Sequence, residues 1–308
     1  MNSIEISGFS INIVSLEKCR KIWITGASGQ LGSALIPFFE ERTDWVVIYP
    51  KRDVLDLTNE QETRSFIQRE RPDVVIHAAA YTAVEEAEAE QAIAFLMNGQ
   101  STQWIAEECN IYDAKLIYIS TDYVFDGEKR APYKEDDSVN PLNVYGLSKR
   151  KGELAVLANN NGLVIRASWI YSTIGKNFFK TMLRLAQSRS QLNVVNDQIG
   201  APTYAKSFAR DLSQWVFKMQ SEESRTSSIL LHYSPMGETT WFEFAKVFLA
   251  VLQPQVEVCP VDSASFPQKA KRPMYSKMSN ENWVNMTGII PANWEMQLSE
   301  CIADWKKI

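Results

Sequence analysis

The chain has 308 residues, of which 45% are hydrophobic and 22% are charged, a balance typical of a folded globular protein. This composition excludes a mainly disordered, collagen-like or coiled-coil chain, and the net charge of −5 argues against broad nucleic-acid binding. No apolar run reaches the roughly 18 residues that a membrane-spanning helix needs. The length corresponds to about two domains, or to one large α/β unit with an appendage.

The cysteines and the N-terminal residues bear on the cellular compartment. The four cysteines are far apart and form no Cys-x-x-Cys pair, which favours free thiols in a reducing compartment. With only two histidines in the chain, a zinc site is not expected. Residues 1–19 lack a basic start and alternate apolar with polar residues, unlike a signal peptide. We therefore expect a cytoplasmic protein with a short N-terminal extension of unassigned function.

Short apolar runs alternate with helix-like stretches over residues 20–185. The first run, 21–25, ends in a glycine-rich turn at 26–32, and an apolar periodic helix follows it. Further elements are expected, in chain order, at 45–49 (strand), 58–71 (helix), 73–78 (strand), 85–109 (helix), 115–120 (strand) and 163–166 (strand). Continuous apolar strands of this kind indicate a parallel sheet that is covered on both faces.

Beyond about residue 185 the alternation of strands and helices weakens. Periodicity predicts helices at 177–187 and 208–219 and a strand at 192–195, and the polar stretch 221–228 predicts a surface loop. After Gln253, five prolines divide the sequence into short apolar pieces. We therefore expect a second, smaller and mixed α/β lobe in 186–308, from which some segments return to the first domain.

Three glycines, Gly26, Gly29 and Gly32, stand between the first predicted strand and the first predicted helix. Glycine allows a tight turn there and lets a pyrophosphate approach the backbone N–H groups at the positive end of the helix. The motif alone is weak, and a turn without a ligand is the alternative. Because a strand precedes it and a helix follows it, dinucleotide binding is favoured. The sequence thus predicts a Rossmann-type, doubly wound parallel sheet in residues 20–185.

The end of the second predicted strand distinguishes between two nicotinamide cofactors. An acidic residue there would bond the ribose 2′-hydroxyl of NADH and repel the 2′-phosphate of NADPH. The strand ends instead in Tyr49-Pro50-Lys51-Arg52, and Asp53 follows only afterwards. Two cations favour NADPH, although NADH stays open and an exposed charged loop is the alternative.

Thr121, Tyr145 and Lys149 form a candidate catalytic set. Thr121 ends the fourth predicted strand, and Tyr145 and Lys149 share one helix face because they are four positions apart. A nearby ammonium is expected to lower the phenol pKa from about 10 towards neutrality, which suits a general acid for a ketone oxygen that gains a hydride. Tyr-x-x-x-Lys also arises by chance on helix surfaces, but its combination with the glycine turn favours catalysis.

Several longer strings narrow the interpretation. They are residues 71–85 (RPDVVIHAAAYTAVE), 120–127 (STDYVFDG), 168–171 (SWIY), Asn177-Phe178, 197–203 (DQIGAPT) and Arg272-Pro273. Together with the glycine turn and Tyr-x-x-x-Lys, they resemble the dTDP-4-dehydrorhamnose reductase family of the extended short-chain dehydrogenase/reductase superfamily. The resemblance runs from about Lys21 almost to the C-terminus, with the strings in the right order.

The resemblance implies hydride transfer from NADPH to the C4 ketone of dTDP-4-dehydro-6-deoxy-L-mannose, which gives dTDP-L-rhamnose. It implies that Tyr145 protonates the new alkoxide, that Lys149 holds the nicotinamide ribose and tunes Tyr145, and that Thr121 orients the carbonyl. The cofactor-binding residues it implies are Gly26, Gly29, Gln30, Leu31, Gly32, Arg52, Asp56, Leu57, Ala78, Ala79, Ala80, Asn98, Tyr145 and Lys149. It implies a substrate-binding C-terminal lobe and, as substrate-binding residues, Val84, Glu85, Thr121, Asp122, Tyr123, Trp169, Asn177 and Arg272.

Some of these residues have structural alternatives, and two stretches depart from the family pattern. Trp169 is alternatively a core residue, Asp122 a turn cap and Arg272 a surface charge. Glu85 stands where the family usually has Asp, in an acidic cluster that suits a helix start.

The acidic residues that bridge a magnesium-linked dimer in the family are missing from 33–35 and 187–191. A homodimer stays open, but Mg²⁺ is not expected.

Two other functions compete with reduction. Nucleotide-sugar 4,6-dehydratases carry Thr-Asp-Glu at the strand end, whereas this chain has Thr121-Asp122-Tyr123, which favours simple reduction. The other competitor is an NADP-binding regulatory subunit such as the methionine adenosyltransferase β subunit, which resembles the same family. The presence of Thr121, Tyr145 and Lys149 together argues against a purely regulatory role, since binding alone does not require them.

Overall fold

The structure is a computed structural model that describes residues 19–219, 228–266 and 268–308, together with the backbone of two short strands before them. Those two strands, β1 (Ser3–Ile6) and β2 (Phe9–Asn12), pair with each other in antiparallel fashion. Residues 220–227, which cover nearly all of the loop predicted at 221–228, lie outside the described residues. Along the described part of the chain, no helix is both long enough and apolar enough to cross a bilayer.

The remaining strands and the helices alternate along the chain. The strands are β3 (Arg20–Thr25), β4 (Trp45–Ile48), β5 (Val74–His77), β6 (Lys115–Thr121), β7 (Gly162–Ala167), β8 (Ile170–Tyr171), β9 (Gln191–Val195), β10 (Ile199–Gly200), β11 (Thr203–Tyr204), β12 (Ile229–Tyr233), β13 (Thr239–Thr240) and β14 (Glu257–Val261). The helices are α1 (Gln30–Glu40), α2 (Glu60–Glu70), α3 (Val84–Ala87), α4 (Gln91–Phe95), α5 (Ser101–Ile111), α6 (Val144–Leu157), α7 (Phe178–Ala186), α8 (Ala205–Met219), α9 (Trp241–Leu252), α10 (Glu281–Thr287) and α11 (Trp294–Trp305).

A six-stranded parallel sheet forms the centre of the molecule, in the order β12-β7-β6-β5-β3-β4. The chain runs from β3 to β4 on one side and from β5 to β12 on the other, so the direction of winding changes between β3 and β5. Ligands of such sheets bind beyond the carboxyl ends of the strands at this switch. The protein therefore has the predicted α/β fold of Rossmann type.

Helices cover both faces of the sheet. On one face, α1 and α8 bury Leu35, Phe39 and Phe208 against the strands, and on the other face α2 and α5 bury Phe66 and Ile105. β5 and β7 are buried along their whole length, and their sequences are correspondingly apolar instead of alternating, except for His77 at the end of β5 and Arg166 near the end of β7. Although α8 and β12 come late in the chain, they belong to this layer.

The smaller lobe is built on a parallel pair formed by β9 and β14. Its own apolar core collects residues of α7, α9 and α11, among them Phe179, Phe248 and Leu298. Two short strand pairs, β8 with β11 and β10 with β13, lie between this lobe and the sheet. The lobe thereby comes to lie over the carboxyl edge of the sheet.

The prediction of a single long helix at 85–109 is wrong. The chain forms α3, then a turn, then α4, a π-helical turn at Leu96–Gln100 and α5. The wide turn leaves the Asn98 carbonyl free to accept hydrogen bonds from the Tyr118 hydroxyl at 3.1 Å and the Thr102 hydroxyl at 2.9 Å. The helix is interrupted at residues 88–90, whereas 91–111 are helical throughout, with a wide turn at 96–100 whose Asn98 carbonyl contacts Tyr118 on β6.

Candidate active site

A cavity of about 910 Å³ lies between the carboxyl edge of the sheet and the smaller lobe. Its wall combines the glycine turn after β3, the residues after β5 and β6, one face of α6 and side chains of the smaller lobe. The predicted site residues on the wall are Gly26, Gly29, Gln30, Leu31, Arg52, Leu57, Ala78, Ala79, Ala80, Val84, Thr121, Asp122, Tyr123, Tyr145, Lys149, Trp169, Asn177 and Arg272. Four predicted residues, Gly32, Asp56, Asn98 and Glu85, are not part of this wall.

The glycine turn has the geometry of an anion-binding loop. Gly26 has a φ of +69°, and an added Cβ there would lie 2.8 Å from the backbone nitrogen of Ala79. α1 begins at Gln30 with no side-chain cap and no acidic residue in its first turn, so its positive end is left for a ligand. Gly32 lies under the turn, where an added Cβ would be 2.2 Å from the Gly26 carbonyl oxygen. Its role is therefore to let helix and turn approach each other closely.

The segment after β4 brings two cations to the cavity. Lys51 and Arg52 line the wall beside Leu57. Asp56 points away from it, because its carboxylate accepts hydrogen bonds from the Thr58 N–H at 3.0 Å and the Thr58 hydroxyl at 2.8 Å, which lower its pKa. The structure thus shows Asp56 in a turn-forming contact and places the positive charge of Lys51 and Arg52 on the cavity wall.

Asn98 supports the cavity wall from behind. It is fully buried, and its amide group accepts from the Tyr81 N–H at 2.8 Å and donates to the Tyr81 carbonyl at 3.0 Å and the Ser148 hydroxyl at 2.9 Å. Asn98 therefore ties the loop after β5, which carries Ala78–Ala80, to α6 without reaching the cavity itself.

Thr121, Tyr145 and Lys149 meet at the floor of the cavity, as their spacing predicts. α6 begins just before Tyr145, because Asn143 caps it by accepting from the Gly146 N–H at 2.8 Å. The Tyr145 hydroxyl lies beside the Thr121 hydroxyl. The Lys149 amine donates to the Ile119 carbonyl at 2.6 Å. The strand end and the helix face thus present two hydroxyls and one amine to the cavity.

The pKa predicted for Tyr145 is wrong in direction. Burial raises the pKa of the Tyr145 hydroxyl, and the neighbouring Thr121 hydroxyl only partly offsets that effect. Lys149 does not act on the phenol as expected, because its amine faces the Ile119 carbonyl and the ring of Tyr118, 3.9 Å from the ring centroid. Burial also lowers the pKa of Lys149 to about 7. Tyr145 therefore holds its proton firmly in the ligand-free site.

Asp122 and Tyr123 continue the site beyond the catalytic hydroxyls. The Thr121 hydroxyl donates to Asp122 Oδ1 at 3.1 Å and accepts from the Tyr123 N–H at 3.2 Å, so Thr121 caps the turn that follows it. Asp122 is 2% exposed, its Oδ2 has no hydrogen-bond partner, and burial raises its pKa to about 6. The Tyr123 ring meets the Tyr145 ring edge-on, with the centroids 5.8 Å apart.

An aromatic stack closes the side of the cavity that faces the smaller lobe. Trp169 lies on the ring of Trp241, with centroids 3.6 Å apart and planes 8° from parallel. Trp169 adopts a left-handed φ of 49°, a strained conformation that is common at functional sites. Gly200 makes room for it, since an added Cβ would lie 2.6 Å from the Trp169 ring. Trp169 is thus a wall residue and not simply core.

Trp241 is a wall residue that the sequence analysis missed. The only local signal is its position at the start of α9, where the Thr240 hydroxyl accepts from the Glu243 N–H at 3.1 Å and caps the helix. That capping pattern predicts a helix start but does not predict which way the indole points. Phe178 and Gln198 line the cavity as well; both belong to strings that carry the family resemblance, although neither was named as a site residue. Phe266 also lines the cavity and carries no local signal.

Three contacts join the two sides of the cavity. Asn177 caps α7, and its amide donates to the Gln30 side chain at 2.8 Å, which links the glycine turn to the smaller lobe. Glu85 accepts from the Arg272 guanidinium at 3.0 Å and from the Lys269 N–H at 2.8 Å. Arg272 is therefore a paired wall residue and not a freely solvated charge.

Comparisons with known proteins agree with this geometry. Residues 20–307 match the family described as RmlD substrate binding domain. A dTDP-4-dehydrorhamnose reductase of Sinorhizobium fredii is 38% identical over 280 residues, which cover 89% of this chain and 94% of that protein. The crystal structure of a dTDP-4-dehydrorhamnose reductase from Clostridium acetobutylicum has a TM-score of 0.87 at 35% identity and covers 94% of this chain and 100% of that one.

A second solved structure contains a cofactor. The dTDP-4-dehydrorhamnose reductase of Bacillus anthracis, in complex with NADP, has a TM-score of 0.83 at 36% identity, with 92% of this chain and 99% of that chain covered. The glycine turn and the hydroxyl–amine set of this chain fit a nicotinamide dinucleotide. The chain belongs to the RmlD substrate binding domain family, the family of the dTDP-4-dehydrorhamnose reductases.

Proposed function

We propose that this protein is an NADPH-dependent dTDP-4-dehydrorhamnose reductase, which reduces the C4 ketone of dTDP-4-dehydro-6-deoxy-L-mannose to dTDP-L-rhamnose. One observation carries the proposal: Thr121, Tyr145 and Lys149 meet in the same cavity as the glycine turn. A proton donor for a ketone oxygen and a cradle for a dinucleotide are thereby held in one site. Family membership supports the choice of substrate.

The cofactor groove of the proposal runs from the glycine turn to the cations after β4. The backbone N–H groups at the start of α1 would hold the pyrophosphate, and Lys51 and Arg52 would face the adenosine ribose. Two cations there favour the 2′-phosphate of NADPH over the free hydroxyl of NADH. The relative with bound NADP supports this preference. When bound, the reduced nicotinamide supplies the hydride.

Tyr145 and Thr121 would act on the ketone oxygen of the sugar. The raised pKa of Tyr145 keeps its hydroxyl protonated, so it can donate to the oxygen as negative charge develops there. The Thr121 hydroxyl donates to Asp122 Oδ1 and lies beside the Tyr145 hydroxyl. A ketone oxygen that enters between Thr121 and Tyr145 would accept hydrogen bonds from both hydroxyls. Lys149, fixed by the Ile119 carbonyl, would hold the nicotinamide ribose.

The smaller lobe would bind the rest of the substrate. It contributes Trp241 and Arg272 to the wall opposite the catalytic hydroxyls, and Trp169 and Tyr123 add aromatic surface. Aromatic faces pack well against the apolar side of a deoxysugar or a base, and a guanidinium suits an anionic nucleotide. We therefore assign residues 186–308 mainly to substrate binding and 20–185 mainly to cofactor binding.

Compartment, oligomeric state and metal dependence complete the proposal. All four cysteines are free thiols, with Cys109 and Cys301 buried, which supports a reducing, cytoplasmic compartment. The missing acidic residues at 33–35 and 187–191 support an enzyme that needs no magnesium-linked dimer. A dimer held by other contacts is compatible with the proposal.

A coupled assay tests the function directly. The keto sugar, freshly made from dTDP-glucose by a dehydratase and an epimerase, is offered with NADPH and then with NADH, and the loss of reduced-nicotinamide absorbance is followed. We expect turnover to dTDP-L-rhamnose with NADPH preferred. Tyr145→Phe should lose about 100-fold or more in kcat while its affinity for NADPH stays near that of the wild type. Tight NADPH binding without turnover would contradict the proposal and favour a regulatory subunit.

A further inference from the structure

Glu153 lies one helical turn beyond Lys149 on α6 and is fully buried. Its Oε1 accepts from the Ser120 hydroxyl at 2.6 Å and from Arg166 Nε at 2.7 Å. Its Oε2 accepts from Arg166 Nη2 at 2.8 Å and from Arg150 Nη1 at 2.8 Å. One carboxylate on α6 is therefore bonded to β6 and to β7 at the same time.

Ser120 occupies a special place on β6. The residue before it, Ile119, supplies the carbonyl that accepts from the Lys149 amine, and the residue after it, Thr121, supplies the hydroxyl that lies beside the Tyr145 hydroxyl. The bond between Ser120 and the buried carboxylate thus fixes strand to helix midway between the two catalytic contacts. A shift at this point would displace both contacts together.

We propose that Glu153 is a positioning residue for the reduction, an inference that rests on the proposed function. Its carboxylate sets the spacing of β6 and α6 at Ser120, and it is a buried anion that acts on the Lys149 ammonium. Glu153 does not line the cavity, so it works through Ser120 and Lys149 and not through contact with a ligand.

The electrostatics around Lys149 support this role. The elements around Lys149 carry several ionisable side chains, among them His77 on β5, Tyr118 on β6, Asp122 in the turn after β6, Tyr145, Arg150 and Glu153 on α6, and Arg166 on β7. Burial lowers the pKa of Lys149 to about 7, and the charge of Glu153 opposes that change. His77 carries no charge at neutral pH, because burial and the neighbouring Lys149 lower its pKa to about 3. Glu153 therefore favours the ammonium form of Lys149.

Removal of Glu153 also has a structural cost that the test must separate from positioning. Arg166 continues the network to His232, 3.3 Å from its Nη1, and lies over the ring of Phe125. Without the carboxylate, a buried guanidinium would lose its partner, which is strongly destabilising. Replacing both charged partners by apolar residues of similar size is often tolerated. Three variants are therefore needed: Glu153→Gln, Ser120→Ala and the pair Glu153→Met with Arg166→Met.

The experiment combines kinetics with a readout that needs no substrate. Full-length protein labelled at the lysine ε-carbon is titrated by NMR, and the Lys149 signal is assigned by its loss in Lys149→Met. Lys277 is an internal reference, because burial lowers its pKa to about 8 while it faces Glu238 instead of Glu153. The coupled assay then gives kcat and both KM values for each variant.

The three variants have distinct expected results. Glu153→Gln should lower the titration midpoint of Lys149 by about 1 pH unit, leave Lys277 unchanged and reduce kcat by about 10-fold or more. Ser120→Ala should reduce kcat with little change in KM while the Lys149 midpoint stays in place. If Glu153→Gln fails to fold, the paired Met variant should fold and show the same loss of kcat.

Two results would overturn the inference. The first is a kcat that equals the wild-type value both in Ser120→Ala and in a Glu153 variant that folds. The other is a Lys149 midpoint that does not move when the carboxylate is removed. Failure of the proposed function would look different, since the wild type itself would then not turn over the keto sugar while the lysine titrations would still report on Glu153.

Discussion

Glu85 and Arg272 stand 187 positions apart in the chain, yet Arg272 Nη2 lies 3.0 Å from Glu85 Oε1. The second oxygen of Glu85 accepts from the backbone N–H of Lys269, so one carboxylate fixes both ends of a short segment beside the cavity. Arg272 Nε is buried and has no hydrogen-bond partner. The ion pair therefore holds a wall residue in place with one N–H group left for a ligand.

Glu85→Gln should weaken binding of the nucleotide sugar more than it weakens turnover. The pair is partly exposed, so we expect a loss of about 1 kcal/mol, or roughly a five-fold rise in KM for the dTDP-sugar, with kcat little changed. Glu70→Gln, which affects a comparable ion pair with Lys21 on the far side of the sheet, is the matched control. A KM equal to that of the wild type would mean that the segment keeps its place without Glu85.

Arg52→Asp should move cofactor preference from NADPH towards NADH. The substitution replaces a cation on the cavity wall by an anion, which repels the 2′-phosphate and accepts from a free ribose hydroxyl. We expect the ratio of kcat/KM values for the two cofactors to change by about 10-fold or more. Arg189→Asp makes the same charge change at an exposed position outside the wall and should leave the ratio alone. An unchanged ratio in Arg52→Asp would locate the 2′-phosphate elsewhere.

Gly200→Ala should disturb the aromatic stack. The new methyl group would lie 2.6 Å from the Trp169 ring, so the ring or β10 must move. We expect a loss of about 1–3 kcal/mol in the free energy of unfolding and a raised KM for the sugar. Adding Trp169→Phe, which removes the clashing part of the indole, should restore much of the unfolding free energy. If the double variant is no more stable than Gly200→Ala alone, the clash is not the cause.

Asp122→Asn should stabilise the protein above pH 6 while it impairs the site. The pKa of Asp122 is about 6 in the folded state against an ordinary value of 3.8. Between these two pH values, the carboxyl keeps its proton in the folded state but has lost it in the unfolded state. Stability from this group therefore falls as pH rises through that window. Asn avoids the buried charge, and we expect a gain of at most about 2–3 kcal/mol at neutral pH.

Denaturant unfolding of both proteins across this pH range checks the prediction. Asp126→Asn is a control for which the opposite change in stability is expected. A hydrogen bond from Tyr133 lowers the pKa of Asp126, so the folded state favours the charged carboxylate there. That variant should be less stable than the wild type at neutral pH. An Asp122→Asn protein no more stable than the wild type above pH 6 would contradict the raised pKa.

Much of the sheet and of the site was predictable because their signals are local. A parallel strand buried on both faces, such as β5, is mostly apolar, a close approach such as that at Gly26 requires glycine, and residues four apart such as Tyr145 and Lys149 must share a helix face. These constraints act within a few residues of sequence. The order of the strands and the family resemblance then supply the rest of the fold.

The features that escaped prediction depend on contacts between distant segments. The wide turn at 96–100 brings the Asn98 carbonyl to the Tyr118 hydroxyl on β6, and the Trp241 indole stacks on Trp169, 72 positions earlier in the chain. The pKa of Tyr145 depends on how deeply the hydroxyl is buried, which spacing does not report. The sequence around Glu153 does not indicate its proposed role, because its partners Ser120 and Arg166 come from two strands elsewhere in the chain.

The late return of α8 and β12 to the central sheet has a consequence for how the chain folds during synthesis. Phe39 of α1 packs against Phe217 of α8, with ring centroids 5.0 Å apart, and β12 pairs with β7 at the edge of the sheet. A nascent chain that has left the ribosome only as far as β11 contains the whole glycine turn and catalytic set but still exposes the apolar face of α1 and the edge of β7. Residues 20–185 therefore become a complete folding unit only after α8 and β12 have been made, and a single cut after residue 185 would not divide the chain into two separate folding units.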